Sequence, residues 1–467
     1  MTPHSCGERF VEQNEMELQD IKRVYLIGIG GIGMSGLARY FAHLGCIVCG
    51  YDKTSTDLTD QLHNEGVQVI FDDRTDWIPL SFQTPNECTL VIYTPAVPRD
   101  SAILNFFRNN GFELFKRSQV LGLISKSMFT IAVAGTHGKT TTSCMIAHIL
   151  KNSGKDCSAF LGGISSNYNS NVLFGKNDIV VVEADEYDRS FLTLYPDIAV
   201  ITSMDADHLD IYGSHDQLAE SFRQFASQIK EGGTLIYHED LPLTTPGITY
   251  SAKGPADVKA QNIRVENGEF YFDFKNYLDD INDIKLGIAG LHNIENATAA
   301  IEVALKLRIE PALIKKALES FRGVKRRFEY IVKTDKHIYI DDYAHHPEEL
   351  RAAITSIRQL YPDKKLTTIF QPHLYTRTRD FADGFAEVLD RSDELIMLDI
   401  YPARELPIEG VNADMILSRM KLLNKRKCGK QEAVDLVRIE QPELLLTVGA
   451  GDIDQLVAPL KNALENV

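Results

Sequence analysis

Residues 129–141 read FTIAVAGTHGKTT, and this stretch decides the fold of the segment around it. Phe129–Ala134 is a short continuous apolar run, the mark of a strand buried on both faces. Gly135, Thr136, His137, Gly138, Lys139, Thr140 and Thr141 follow it. Behind them Met145, Ile146, Ile149 and Leu150 recur at helical spacing until Gly154 stops the helix. Strand, glycine loop and helix in that order form a phosphate loop. The glycines let backbone N–H groups approach a polyphosphate, and the helix N-terminus favours negative charge. Lys139 would reach the β- and γ-phosphates, and the Thr140 hydroxyl would ligate Mg2+. The spacing is shorter than in the common GxxxxGK[ST] loop, so this is a variant of it.

Two later strands should end beside that loop. Ile179–Val182 runs into Glu183, Asp185 and Glu186. A carboxylate at the carboxyl end of a neighbouring parallel strand faces the same crevice, and a hard cation prefers oxygen ligands. Glu183 is the expected ligand; Asp185 and Glu186 either support it or lie on the surface. Ile198–Thr202 leads to Ser203-Met204-Asp205-Ala206-Asp207-His208, where His208 is the expected ligand of a second cation.

Towards the N-terminus, the strand Arg23–Ile27 precedes Gly28-Ile29-Gly30-Gly31-Ile32-Gly33, and Asp52 closes the next strand, Ile47–Tyr51. Alone, this pattern suggests an NAD-dependent dehydrogenase. Physically it implies only a helix N-terminus open to a diphosphate, with an acid placed for a hydroxyl or base edge. Towards the C-terminus, strands and helices alternate again. Polar clusters occur at two strand ends: Asp341-Asp342-Tyr343-Ala344-His345-His346, and Gln371-Pro372-His373-Leu374-Tyr375-Thr376-Arg377. Arg377 could hold a carboxylate through paired hydrogen bonds, and His345 could orient or deprotonate an amine. Arg326 and Arg327 either neutralise phosphate or form a solvated basic surface.

The composition sets limits. The 467 residues include 44 % hydrophobic and 24 % charged, which excludes a wholly disordered chain. At about 100–200 residues per domain, two to four domains are expected. The net charge of −16 argues against a general nucleic-acid or anionic-membrane binder. No apolar run reaches the roughly 18 residues of a membrane span, and residues 1–20 read as a loose polar extension without a signal-peptide core. Seven cysteines form no disulfide pattern, and Cys46 and Cys49 should point to opposite faces of one strand. A cytoplasmic protein is expected.

The segments GIGGIGMSGLA, AGTHGKTTT, EADEYDRSFL, DADHLDIYG, GLHNIENATAA, GVKRRFE, DDYAHHPEEL and QPHLYTRTRDFADGFAEVL occur in this order. With DIYPARE and the GAGD turn they make the chain resemble the Mur ligase family, most closely its branch that joins L-alanine to UDP-N-acetylmuramate. The resemblance implies a three-domain α/β fold with mainly parallel sheets. A Rossmann-like N-terminal domain (1–117) would hold the UDP-sugar through Gly28, Gly30, Gly31, Gly33 and Asp52. A P-loop ATPase-like central domain (118–322) would bind ATP and Mg2+. A Rossmann-like C-terminal domain (323–467) would bring the amino acid.

Carried over by motif, Gly135–Thr141, His292, Asn293, Asn296, Arg326 and Asp341 bind ATP, and Thr140, Glu183 and His208 hold metal. Tyr343, His345 and Arg377 receive alanine, and Lys139, His208, His345 and Arg377 carry catalysis. Leu374 and the segment KRSQVL depart from the family pattern. No lysine follows closely enough on His208 to supply the carbamylated lysine of other members; Lys230 is the next. The resemblance leaves monomer and dimer open. The close rival within the family is a ligase that attaches a recycled murein tripeptide to the same UDP-sugar.

Overall fold

The computed structural model describes residues 18–205, 212, 214–266, 268–403 and 405–465. The chain divides into two compact units, Met1–Ser127 and Met128–Val467. Nearly all of the expected N-terminal extension lies outside the described residues.

The first unit is built on five parallel strands: β1 (Arg23–Ile27), β2 (Ile47–Tyr51), β3 (Gln68–Ile70), β4 (Thr89–Tyr93) and β5 (Leu114–Lys116). Their order is β3-β2-β1-β4-β5, so the chain reverses direction of travel at β1. A switch point of this kind opens a crevice at the carboxyl ends of the strands, where the loop Gly28–Gly31 leads into the helix Ile32–His43. Tyr25 on β1 anchors the core, its ring 4.7 Å from Phe107 and 5.5 Å from Phe82. The unit extends to Ser127 because the helix Arg117–Ser127 packs on this sheet. Cys49 is buried on β2, while Cys46, just before the strand, donates to the Ile21 carbonyl at 3.2 Å.

The second unit holds two sheets. Ten strands form the larger: β6 (Phe129–Ala134), β7 (Ser158–Ser165), β8 (Ser170–Leu173), β9 (Ile179–Ala184), β10 (Ile198–Ile201), β11 (Thr234–His238), β12 (Ile248–Ser251), β13 (Val258–Glu266), β14 (Glu269–Lys275) and β15 (Asp280–Leu286). The order is β15-β14-β13-β12-β11-β10-β6-β9-β7-β8. β6 is central, with Ala134 level with Ala184 of β9 and Ile201 of β10. The sheets are mainly parallel, as expected, with antiparallel pairs only at the margins. β8 and the β13–β15 meander pair antiparallel, because the chain reaches them by short turns rather than helical crossovers.

The smaller sheet contains β16 (Glu329–Lys333), β17 (Ile338–Asp342), β18 (Leu366–Phe370), β19 (Glu394–Met397), β20 (Lys425–Lys427) and β21 (Leu444–Val448). The order is β16-β17-β21-β18-β19-β20, antiparallel only between β16 and β17. One apolar cluster runs from β6 and the helix Leu291–Lys306 to the helix Pro347–Leu360 on the smaller sheet. The two sheets of this unit therefore share a core, and their crevices meet. Among the described residues no helix is long and apolar enough to cross a membrane.

Candidate active site

The loop after β6 is shaped by two glycines. Gly135 has φ +137°, and a Cβ there would stand 2.1 Å from Thr202 Oγ1 and 2.8 Å from the Ser203 backbone nitrogen. Gly138 has φ +81°, and its Cβ would meet Asn296 Oδ1 at 2.7 Å. The residues after β10 tie the loop down. The His137 backbone N–H donates to Ser203 Oγ at 2.7 Å, Thr136 and Ser203 hydroxyls lie 2.9 Å apart, and the Asp205 N–H donates to Thr136 Oγ1 at 3.0 Å. The helix Lys139–Asn152 starts directly behind, with its N-terminal N–H groups uncapped by any side chain at Gly138.

Lys139 Nζ donates to the Gly135 carbonyl at 2.6 Å and pairs with Glu186 at 2.7 Å. Burial alone would lower its pKa, but Glu186, Asp185 and Glu183 outweigh that and hold it above the usual lysine value. Glu186, which the sequence left between a supporting and a surface role, is buried with 1 % of its side chain exposed. Thr140 Oγ1 donates to Glu183 Oε1 at 2.9 Å, and the Gly162 N–H donates to Glu183 Oε2 at 2.8 Å. Burial raises the Glu183 carboxyl above its ordinary value, against the lowering pull of Lys139, Thr140 and Gly162. His208 lies outside the described residues. Lys230 is held by Asp197 at 2.8 Å and the Met128 carbonyl at 2.7 Å, at the opposite end of the strands from the phosphate loop.

These groups line a cleft of about 400 Å³ together with His292, Asn293 and Asn296 on the first turns of the helix Leu291–Lys306. His292 is pushed down to about 4 by burial. The smaller sheet supplies Arg327, Asp342, His345 and Glu349 to the same cleft. Arg326 and Asp341 do not line it. Asp341 is fully buried, accepting from Thr447, and Arg326 is spent on Asp341 at 3.3 Å and on the Gly449 carbonyl at 2.6 Å. The strand alternates faces, so the adjacent Asp342 points to the other side. Arg327 and Asp342, not their neighbours, face the cleft.

His345 Nδ1 faces the Tyr343 carbonyl at 2.9 Å, so it carries the proton and Nε2 is the free acceptor. Burial lowers its pKa below the usual histidine value, with Arg377 and Arg327 adding to the effect against Glu349. Tyr343 lies 5.3 Å from the His345 ring and beneath the Arg327 guanidinium at 4.9 Å. His373, 5.9 Å from His345, is pushed down to about 4 by burial and by His345 and Arg377. Arg377 stands within electrostatic reach of both histidines but does not line the cleft. It lies on the first turn of the helix Tyr375–Leu389, which bends at Phe381.

Glu349 escaped notice in the sequence. Its carboxylate accepts from the His345 and His346 backbone N–H groups at 2.9 and 3.3 Å and lies 3.4 Å from His137 Nδ1. Burial would raise it, yet His345, His137 and Arg327 hold it well below the carboxylate range. The signal available was its place three residues into a helix after His346, a capping position.

In the first unit, the Gly28 N–H donates to the Tyr51 carbonyl at 2.7 Å and the Gly30 N–H donates to Asp52 Oδ2 at 2.8 Å. Asp52 thus shapes the loop that Gly28, Gly30, Gly31 and Gly33 form. A Cβ at Gly33 would meet the Arg117 guanidinium at 2.8 Å, which brings a cation to this loop that the sequence reading did not single out.

Comparison with known proteins places these sites in context. Residues 23–128 match the Mur ligase family catalytic domain, 133–304 the Mur ligase middle domain and 326–451 the Mur ligase glutamate ligase domain. The UDP-N-acetylmuramate–L-alanine ligase of Flavobacterium psychrophilum is 48 % identical over 96 % of this chain and 100 % of its own length. That of Cytophaga hutchinsonii is 49 % identical over 96 % of this chain and 97 % of its own. The crystal structure of the UDP-N-acetylmuramate-alanine ligase MurC from Thermotoga maritima superposes with a TM-score of 0.81 at 28 % identity, covering 95 % of this chain and 99 % of that one. A murein peptide ligase from Psychrobacter arcticus shares the fold with a TM-score of 0.67 at 21 % identity, over 96 % of this chain and 99 % of that one.

Proposed function

The chain belongs to the Mur ligase family, and we infer from that premise that it joins L-alanine to the carboxylate of UDP-N-acetylmuramate at the expense of ATP, in peptidoglycan precursor synthesis. The observation that carries the reading is the cleft in which the phosphate loop of one sheet faces His345 and its partners on another. The three-way division of the chain at residues 117 and 322 goes with this reading, as does a cytoplasmic setting, where free thiols persist.

In the first step, a carboxylate oxygen of the UDP-sugar attacks the γ-phosphorus of ATP, and ADP leaves. The product is an acyl phosphate. The backbone of Gly135–Thr141 and the helix N-terminus hold the phosphates, and Lys139 stabilises charge on the transferred group. His292, Asn293 and Asn296 hold the rest of the nucleotide. Thr140 and Glu183 fit a hard cation, because their oxygens already lie side by side in a part-buried carboxylate–hydroxyl pair. Mg2+ bound there supplies positive charge to the phosphates. His208 remains its expected further ligand.

In the second step, the alanine amine attacks the acyl carbon, and phosphate departs with the former carboxylate oxygen. The amine must be neutral. His345, unprotonated at neutral pH with Nε2 free, is placed to take its proton. Tyr343 and Arg377 set the alanine, Arg377 through its carboxylate. In the first unit Gly28, Gly30, Gly31, Gly33 and Asp52 hold the UDP-sugar, with Arg117 beside the loop. Arg326 and Asp341 complete the nucleotide site from behind, with their neighbours Arg327 and Asp342 lining the cleft.

ADP release measured with UDP-N-acetylmuramate plus either alanine or murein tripeptide tests the substrate. Turnover with alanine is expected. Turnover with tripeptide only would transfer the protein to the recycling branch.

A further inference from the structure

We propose that Glu349 is a positioning residue that fixes His345 relative to the nucleotide loop, so that the amine acceptor is aligned only while His137 is in place. The proposal rests on the ligase reading above and assigns that site a coupling element within it.

The geometry exceeds what a helix cap requires. Capping the helix Pro347–Leu360 uses one carboxylate oxygen: Glu349 Oε2 accepts from the His345 and His346 N–H groups at 2.9 and 3.3 Å. The same oxygen lies 3.3 Å from His345 Nδ1, beside the nitrogen whose proton goes to the Tyr343 carbonyl. The other oxygen, Oε1, points away from the cap to His137 Nδ1 at 3.4 Å, with Arg327 at 3.8 Å. His137 belongs to the phosphate loop, and its second nitrogen reaches Asp205 after β10 at 3.5 Å. One carboxylate therefore touches both the loop that grips the phosphates and the histidine on the alanine side. With 15 % of its side chain exposed, it has few solvent contacts to exchange for these. Isolated helix capping would leave Oε1 to water; here it is aimed at a second sheet.

A carboxylate in this position makes the alanine step depend on the phosphate loop. Displacing a reacting group by about 1 Å costs on the order of a hundredfold in rate.

The test uses the full-length protein and two near-isosteric variants, Glu349→Gln and His137→Asn, with their double variant. Steady-state ADP release is measured against alanine and against ATP, and each variant's thermal unfolding is recorded. Glu349→Gln is expected to lower kcat/KM for alanine by about a hundredfold, with KM for ATP nearly unchanged. His137→Asn should produce an alanine-side loss of its own, although His137 itself belongs to the phosphate loop and not to the alanine side. The double variant should be no worse than the poorer single one, as for groups acting as a unit. Equal losses on ATP and alanine, or single losses that multiply in the double variant, would overturn the proposal. If Glu349→Gln does not fold, an unaltered alanine dependence in His137→Asn does the same. Wild-type protein that releases no ADP with UDP-N-acetylmuramate and alanine refutes the ligase reading instead, which keeps the two failures apart.

Discussion

Two glycine loops in this chain leave a parallel strand and open a helix, and they have different chemistry around them. After β1, the loop Gly28–Gly31 is closed by its own neighbourhood: Asp52 accepts from Gly30 at 2.8 Å and from Thr54 at 3.2 Å. After β6, the loop Gly135–Gly138 is tied to the hydroxyls of Thr202 and Ser203 and carries Lys139 among three carboxylates. Glycine in both loops permits the turn and the close approach of backbone to phosphate. The flanking residues decide what is done there. A lysine and carboxylate oxygens make a site for moving a phosphoryl group, whereas an acid bonded to the loop backbone makes a rigid cradle. A fingerprint of glycines alone suggests a nicotinamide cofactor for the first loop, and the neighbours are what separate the readings.

That contrast can be broken most severely at Lys139. Lys139→Ala should reduce ADP release by about a hundred- to thousandfold, while calorimetric binding of the UDP-sugar stays as in the wild type. Retained turnover would remove the distinction between the loops. Glu183→Gln comes next. Losing the carboxylate charge beside Thr140 should raise the Mg2+ concentration for half-maximal activity by at least about tenfold; an unchanged Mg2+ titration would place the cation elsewhere.

Substituting glycine in each loop sharpens the comparison. Gly135→Ala forces a side chain into a φ of +137° and against the Ser203 backbone. It should cost about 1–3 kcal/mol, read as a lower Tm together with lost activity. Gly33→Ala keeps an ordinary helical φ and meets only the Arg117 side chain, not backbone, so its Tm should fall less than that of Gly135→Ala. The smallest effect is expected at Asp52. Asp52→Ala deprives the Gly30 and Thr54 N–H groups of their acceptor, at about 1 kcal/mol. KM for the UDP-sugar should rise several-fold with kcat preserved. A kcat loss as large as that of Lys139→Ala would mean the first loop takes part in the chemistry.

Much of the framework was readable from the amino acids. Strands such as Phe129–Ala134 and Leu444–Val448 are covered on both faces, and their unbroken apolar runs announce it. Short edge strands are different. Gln68–Ile70 and Lys425–Lys427 pair on one side only, and Lys-Arg-Lys carries no apolar signal at all. The helix Tyr375–Leu389 opens on Tyr-Thr-Arg-Thr-Arg-Asp, which bears no apolar period. For the site, residues adjacent to strand ends could be named, since topology alone brings such ends together. Arg327 and Asp342 could not be told from Arg326 and Asp341: the acids alternate along β17, Arg326 sits in a turn at φ +61°, and which neighbour faces a crevice depends on that backbone geometry. Glu349 was hidden for another reason. A glutamate in the first turn of a helix is ordinary, and only the packing of two sheets brings it to His137.

The central claim is that the UDP-sugar carboxylate is activated as an acyl phosphate and then captured by alanine. Its most direct measurement follows oxygen. The protein is supplied with ATP, L-alanine and UDP-N-acetylmuramate labelled with 18O in the carboxylate, and the released phosphate is analysed by mass spectrometry. The account predicts that each phosphate carries one oxygen from the carboxylate, formed in step with the alanine adduct. Phosphate released without label, while the amide forms, would contradict it.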